Sequence, residues 1–496
     1  MAVTRDHPRP LRARYVWAGF LVVMGVAILV VRFGTFSTLP SWDSAMTIWP
    51  AAIEMSERGS ISEVMDLPGY STGGPNSHML SAVTLVTAAL VSVGGGSYAI
   101  AALLILNSLM LLGVGYMVAR TVARLTSRTL GWLAGGATVL FPLMVAQSAI
   151  LYTELPSAFF VLIALVLAAD DRFGRAILAV TAAIWIKPLA LVAIPAIAVF
   201  EWRRGRSLKK VSVAALALLG LIPAVVVPQP PPQAEGFWSK VSLATERSWL
   251  FIRQSPELVL MGSIPFISYV VLRRRGATEK EWDWHWAVST LYASFVGFFV
   301  LNVLVTPGHF FIPRYFAMLV PPLMVLLAVS VSKVRRGIQI GMFATIIALS
   351  LVGVRGENAW GINSPLEPVA ERSLAFVVRL EEHIVGLERL AVISQEIPVF
   401  YGHLAHYSYT YPELGHFSGE IVGGQTTSTI DGWGDDLDEL PDQFAMLIGF
   451  PYLGGDDMRS VQRRATASAD YSVSIEGIGE ALLFPLEIVI VRRLDP

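Results

Sequence analysis

The chain has no cysteine among its 496 residues. That excludes disulfides, thiol nucleophiles and Cys-ligated metals, and it leaves the redox compartment open. Charge is also scarce. Asp, Glu, Lys and Arg make up 15% of the residues, against about 25% in an ordinary soluble domain. There is no glycine-rich phosphate loop between a strand and a helix, no His-x-x-x-His pair and no serine nucleophile elbow, so nothing points to nucleotide chemistry on the cytoplasmic side. No tandem or inverted repeat is visible, and the net charge of −1 gives no reason to expect a nucleic-acid partner.

Hydrophobic sequence is abundant instead: 54% of residues, with a mean hydropathy of +0.59. Apolar runs recur at about 16–32, 79–93, 97–119, 129–148, 153–169, 176–200, 211–228, 256–272, 287–305, 315–331 and 338–354. Most approach the length needed to cross a hydrocarbon core of about 30 Å. The expected fold is a polytopic α-helical membrane protein with about 10–12 membrane segments. The first run follows a basic N-terminus and lacks a small-residue cleavage site, so it reads as an anchor and not a removed signal.

Basic loops stay cytoplasmic. The clusters Arg5–Arg14, Arg120–Arg128, Arg172–Arg175, Arg203–Lys210, Arg273–Lys280 and Lys333–Arg336 all fall on that side if two runs do not span as single helices. The run 79–93 ends at Gly94-Gly-Gly and reads as a half-helix or interfacial helix. The run 176–200 reads as two half-length helices meeting at Lys187-Pro188, since a proline inside a helix removes a hydrogen bond and clashes with the preceding turn. The expected location is then the plasma (inner) membrane, with a cytoplasmic N-terminus. Phe33–His78, Gln147–Thr153, Gln229–Pro256, Thr306–Pro313 and the tail lie outside the cytoplasm.

The small net charge conceals a division. From Arg355 to Pro496 there are 22 acidic and 9 basic residues, while the preceding sequence has 16 acidic and 28 basic. Two solvents explain this better than one. The expected domains are a membrane domain over 1–354, including the long outer loop 33–78, and an extracytoplasmic α/β domain over 355–496. In that domain Leu390–Ser394, Phe444–Phe450, Tyr471–Ile475 and Leu482–Val491 read as strands, Ala370–Leu387 as an amphipathic helix and Gly423–Asp442 as a loop.

Five places carry candidate chemistry, each with a plainer alternative. Asp43, between Trp42 and Met46, is either a partly desolvated general base or the cap of a helix over Ser44–Glu57. Glu154 opens a membrane helix behind Thr153. It is either a second acid in the same cavity or a carboxylate answering the helix dipole, with Thr153 as cap. Lys187 is an ionisable group within an apolar run, which commonly faces a polar cavity. A phosphate suits it, and an ion pair with Glu154 or Asp43 is the alternative. Arg314 either forks onto phosphate oxygens or snorkels to headgroups, and nearby His309 is a phosphate donor, a metal ligand or neither. Arg247, in the outer loop that contains Trp238 and Trp249, is a weaker candidate for the phosphate. Tyr70, His78 and Tyr152 are possible substrate contacts. Glu54, Glu57 and Asp66 read as the wet face or the end of a surface helix.

The layout resembles the GT-C superfamily of integral-membrane glycosyltransferases, in the branch of the bacterial relatives of protein O-mannosyltransferases and the aminoarabinose lipid A transferase. The residues that carry the resemblance are Asp43 soon after the first helix, the stretch Pro68–Pro75, Tyr152-Thr-Glu154-Leu-Pro, Ile186-Lys-Pro-Leu-Ala-Leu, and Pro313-Arg-Tyr-Phe-Ala-Met-Leu-Val-Pro-Pro322. It covers about 1–350. The family often carries a second acid beside the first, whereas Ser44 follows Asp43 here, which leaves any divalent cation an open question.

The resemblance implies transfer of a sugar from a polyprenyl-phosphate lipid to a cell-envelope glycan, lipid or protein acceptor outside the cytoplasm. Asp43 is then the base, Lys187 and Arg314 hold the phosphate, and Glu154 orients the donor or a metal. The rival readings are a transporter or flippase for a lipid-linked saccharide, which predicts mid-membrane charges and repeats, and a non-catalytic partner-binding protein.

Overall fold

The protein is described from a computed structural model. It describes residues 10–31, 48–58, 81–149, 151, 153–205, 256–305, 313–353, 382–383, 385–392, 420–422, 441–448, 455–481 and 484–494.

Interruptions organise the helical part. Helix α1 is Pro10–Val31, α2 is Trp49–Arg58 and α3 is Ala82–Leu125. Gly95 breaks α3 with φ 79°, a conformation that favours glycine. The half-helix expected before Gly94 is therefore Ala82–Gly96, and the long arm is Tyr98–Leu125. Helix α4, Arg128–Leu140, meets α5, Pro142–Ala149, at a 52° bend. Pro142 removes an amide at that bend, and Phe141 before it is extended, as a residue preceding proline prefers. Helix α6 is Glu154–Ala169 and α7 is Phe173–Ile186. A 3-10 turn, Pro188–Ala193, leads to α8, Ile194–Arg203.

The run then continues with α9 (Pro256–Gly262), α10 (Ile264–Arg275), α11 (Glu279–Val305), a 3-10 turn over Pro313–Met318, α12 (Val320–Val331) and α13 (Arg336–Gly353).

Tyr98–Leu125 is the one described helix that is by itself long and apolar enough to cross a bilayer, with 28 residues and a mean hydropathy of 2.1. The bent pair α4–α5 makes a second if it is one broken span. Shorter apolar helical stretches of 10–17 residues, among them Tyr15–Val31, Glu154–Ala169 and Arg336–Leu351, make up much of the rest of the described bundle. The expected runs are thus there, but Gly95, Phe141 and Lys187 divide them into shorter pieces. The run at 211–228 lies outside the described residues.

Helices α3 and α4 pack closely because glycine lines their contact. A Cβ on Gly131 would stand 2.4 Å from the carbonyl oxygen of Ala119, and one on Gly135 would stand 2.6 Å from that of Gly115. Such small residues let backbones approach within a bilayer, where burial from water is not available to drive association. Helix α6 lies at the centre. It packs against α3, α7, α8 and the Pro313–Met318 turn, and its Leu155, Ala158, Val161, Leu162, Ala164 and Leu165 are fully buried.

One end of the bundle is held together by charge. Arg124 donates to Asp170 at 2.9 Å, Arg203 pairs with Asp283, and Lys333 pairs with Glu281 at 2.7 Å. Arg204 donates to the carbonyls of Ala168 and Ala169 at 2.7 and 2.6 Å, closing the C-terminus of α6 as a cation at a helix end does. The clusters assigned to the cytoplasmic side near Arg124, Arg172, Arg203, Lys280 and Lys333 thus share one layer.

Five strands form one sheet. They are β1 (Arg389–Val392), β2 (Glu420–Val422), β3 (Gln443–Ile448), β4 (Tyr471–Ala481) and β5 (Phe484–Arg493), in the order β2-β1-β3-β5-β4. Strands β2, β1 and β3 run parallel, and β5 runs antiparallel to β3 and β4. Phe444–Met446 and Ile488–Val491 are buried on both faces of the sheet, as central strands should be. Helix α14, Gly455–Ala467, packs on β3, β4 and β5 through Val461 and Ala465.

The four expected strands are present. Strand β2 and α14 were not expected: β2 is too short to show alternation, and α14 is polar outside its buried stripe. Of the helix expected over 370–387, residues 382–383 are helical, but residues 385–386 form a turn with Gly386 at φ 88°, so the helix does not run to Leu387 as expected.

Candidate active site

Lys187 sits in the break between α7 and the 3-10 turn because Pro188 follows it. Proline drives the preceding residue out of helical geometry, and Lys187 has φ −149° and ψ 118°. Its amide still bonds to the carbonyl of Ala183 at 2.8 Å, and its carbonyl accepts from Ala190 at 3.0 Å, so the break leaves the backbone of Lys187 paired. Glu154 is the first residue of α6. Arg314 follows Pro313 in the 3-10 turn ahead of α12.

These three side chains meet. The Nζ of Lys187 donates to Oε1 of Glu154 at 2.6 Å, and Nε of Arg314 is 3.1 Å from the same oxygen. All three residues are buried, at 3–6% exposure. Tyr315 supplies a floor. Lys187 Nζ lies 4.3 Å from its ring centroid and the Arg314 guanidinium carbon 5.4 Å, geometry in which a ring face attracts a cation. Phe299 of α11 stacks on Tyr315 with centroids 5.6 Å apart, which fixes the plane of that floor.

The cluster lies at the opposite end of the bundle from the basic layer. Glu154 begins α6, whose C-terminus Arg204 closes. Lys187 ends α7, which starts beside Arg172. Arg314 precedes α12, which ends beside Lys333. At 1.5 Å per residue these helices separate the two levels by about 20 Å.

Two cations on one carboxylate oxygen, desolvated and backed by an aromatic face, make a site that can take up further negative charge. Burying ions is expensive, and a buried charge lacking its partner costs several kcal/mol.

Of the expected site residues, Glu154, Lys187 and Arg314 come together. The ion pair that was the alternative for Lys187 is present, and Arg314 joins it. Arg314 is buried on Glu154, so among the described contacts it does not snorkel to headgroups. Thr153 does not cap α6. No side-chain cap bond is made there, and its hydroxyl lies 3.5 Å from Oε2 of Glu154.

Asp43, Tyr70, His78, Tyr152, Arg247 and His309 lie outside the described residues. Of the helix expected over Ser44–Glu57, α2 covers the part from Trp49 on and continues to Arg58, and residues 44–47 lie outside the described ones. Helix α2 packs on α3, with Trp49, Ala51, Ala52, Ile53 and Met55 buried. Among the described residues no group of three His, Asp or Glu side chains stands together to hold a metal.

Sequence reasoning missed the part played by Tyr315. Its place directly after Arg314, in a short turn between prolines, was the available signal.

No protein-family model and no curated protein matches the sequence. Among solved structures, the fold is similar to that of ArnT from Cupriavidus metallidurans bound to undecaprenyl phosphate, with 12% identity, a TM-score of 0.50, and coverage of 95% of this chain and 98% of that one. The apo structure of the same ArnT aligns with 14% identity and a TM-score of 0.49 over 95% of this chain and 98% of that one. The arabinosyltransferase EmbB from Mycobacterium smegmatis aligns with 18% identity and a TM-score of 0.43, over 68% of this chain and 32% of that one. The chain has the GT-C fold.

Proposed function

We propose that the protein transfers a sugar from a polyprenyl-phosphate carrier to an acceptor hydroxyl at the extracytoplasmic face of the plasma membrane, with the N-terminus cytoplasmic and the 355–496 region outside. The observation that carries this reading is the convergence of Lys187 and Arg314 on Glu154, in a buried cluster at the end of the bundle away from the basic layer. ArnT, which has a similar fold, has been solved with undecaprenyl phosphate, and a lipid phosphate is the ligand class that two desolvated cations suit.

In this reaction the acceptor oxygen bonds to C1 of the sugar as the bond from C1 to the phosphate oxygen breaks. The electron pair of that bond leaves with the polyprenyl phosphate, and the hydroxyl proton passes to Asp43. Lys187 and Arg314 stabilise the charge that grows on the departing phosphate. Positive charge develops at C1 in an oxocarbenium-like transition state, and attack from the opposite face inverts the anomeric centre. Glu154 holds the two cations in register and orients the donor. Arg247 and His309 are further donors to the phosphate, and Tyr70, His78 and Tyr152 are contacts to the substrates.

The test is sugar transfer in membranes from a radiolabelled polyprenyl-phosphate sugar. Loss of a general base lowers rate by about 10²–10⁴-fold, so Asp43→Asn should fall in that range. Lys187→Ala should lose transfer and donor binding together. Undiminished transfer by Asp43→Asn overturns the base assignment, and undiminished transfer by Lys187→Ala overturns the phosphate site.

A further inference from the structure

Gln147 lies in the last turn of α5. It is completely buried, and among the described residues neither its Oε1 nor its Nε2 has a hydrogen-bond partner. Its chain neighbours Met144, Val145 and Ala146 are buried and apolar, so a polar side chain stands out at this position. An unpaired buried amide costs about 1–3 kcal/mol for each group left unsatisfied.

Ser157 is the second case. It too is fully buried, and its hydroxyl has no partner among the described residues. Several buried helical hydroxyls elsewhere in the bundle turn back to a carbonyl of the preceding turn. Ser148 does so to Val145 at 2.7 Å, Thr138 to Ala134 at 2.8 Å and Ser330 to Leu326 at 2.9 Å. Ser157 makes no such bond.

Both residues lie on helices that pack at the charged cluster. Helix α5 packs on the Pro313–Met318 turn, which carries Arg314, and on α6, which Glu154 begins. Ser157 is one turn beyond Glu154 on the same helix, a spacing that puts the two on one face. Ser268, Ser289 and His285 also carry unpaired buried atoms, but they lie on α10 and α11 toward the basic layer.

We infer that Gln147 and Ser157 form a neutral hydrogen-bonding subsite beside the charged cluster, and that it receives the hydroxyls of the donor's sugar. The inference rests on the proposed reading of the cluster as a phosphate site. An amide and a hydroxyl together offer both donors and acceptors, which is what sugar hydroxyls need and what a phosphate, an acceptor only, does not. A buried polar pair of this kind discriminates strongly, because a ligand lacking the matching group leaves it unpaired. Gln147 and Ser157 are specificity-determining residues in this scheme, while Lys187 and Arg314 bind whatever sugar the phosphate carries.

The test uses the full chain in nanodiscs with two kinds of probe: farnesyl phosphate, and a panel of farnesyl-phosphoryl sugars carrying mannose, glucose or arabinofuranose. Gln147→Leu and Ser157→Ala should bind farnesyl phosphate as the wild type does and melt at the same temperature or higher. They should lose about tenfold in affinity for the sugar that the wild type prefers, the size expected from one lost hydrogen bond of about 1.4 kcal/mol.

An unchanged preference for the sugar-bearing probe overturns the subsite, as does a lowered melting temperature with that preference intact, which marks a structural role. A wild type that binds every sugar probe no better than farnesyl phosphate overturns it too. Failure of the phosphate reading shows separately, as farnesyl phosphate binding that survives Lys187→Ala.

Discussion

Lys187 Nζ and Glu154 Oε1 are 2.6 Å apart, joined across 33 residues of sequence. Lys187 owes its position to a helix break and Glu154 to a helix start, and both are buried. Removing one partner from such a pair costs about 3–5 kcal/mol, since it leaves a charge in a desolvated site. Glu154→Gln and Lys187→Met should therefore each lower the melting temperature in detergent. The double variant should be more stable than the sum of the two losses implies, with a coupling of about 1–3 kcal/mol. Strict additivity in that double-mutant cycle would show that the pair contributes nothing as a pair.

Pro188 is the cause of the break that presents Lys187. Pro188→Ala restores an amide donor and a better helix former, which lets α7 continue through residue 187 and turns its side chain away from Glu154. Transfer should fall by about 10²-fold, as a displaced positioning group does, while stability holds or rises. Equal activity in Pro188→Ala would mean that tertiary packing alone places the lysine.

Tyr315 acts through its ring face. Tyr315→Phe keeps the face and should keep donor affinity. Tyr315→Leu removes it, and with a cation–π contribution of about 1–2 kcal/mol per desolvated cation donor KM should rise roughly tenfold with a smaller change in kcat. A loss of function in Tyr315→Phe equal to that in Tyr315→Leu would assign the role to the hydroxyl instead.

Gly131 lets α4 come close to the backbone of α3. A methyl there meets the backbone oxygen of Ala119 at 2.4 Å, and a backbone atom yields less readily than the end of a side chain. Gly131→Ala should cost about 1–3 kcal/mol of stability. Its neighbour Gly136 has room, with sulfur and methyl of Met24 at 3.6 and 3.8 Å, so Gly136→Ala should leave the melting temperature nearly unchanged. Equal effects at the two glycines would show that the α3–α4 contact is looser than the backbone distances indicate.

The interruptions near Gly95 and at Lys187-Pro188 were legible because glycine and proline act on their own backbone, within one turn. The strands β1, β3, β4 and β5 were legible from β-branched runs, although β4 continues to Ala481, past the end that the run suggested. The bend at Phe141 was missed, since the apolar run 129–148 reads through it and hydrophobicity does not report direction. The capping role for Thr153 was wrong for a similar reason. Residue type proposes a cap, but the φ and ψ of −85° and −12° at Thr153 are helical and do not turn its hydroxyl to the free amides.

The sequence by itself determined that this is a chain of apolar helices with basic loops on one side, that an acid opens α6, and that a lysine stands at a proline break in an apolar run. Composition, charge placement and proline stereochemistry suffice for that, because each acts locally or by simple summation along the chain. Only the tertiary structure decided that Lys187 and Arg314, 127 positions apart in the numbering, share one oxygen of Glu154 over the ring of Tyr315. It also showed that Gln147 and Ser157 are buried without partners among the described residues. The faces that bring helices together are lined by Ala, Val, Leu and Gly, which are nearly interchangeable as letters. Their packing is set by shape and volume summed over the whole bundle, and no single stretch of sequence carries that sum.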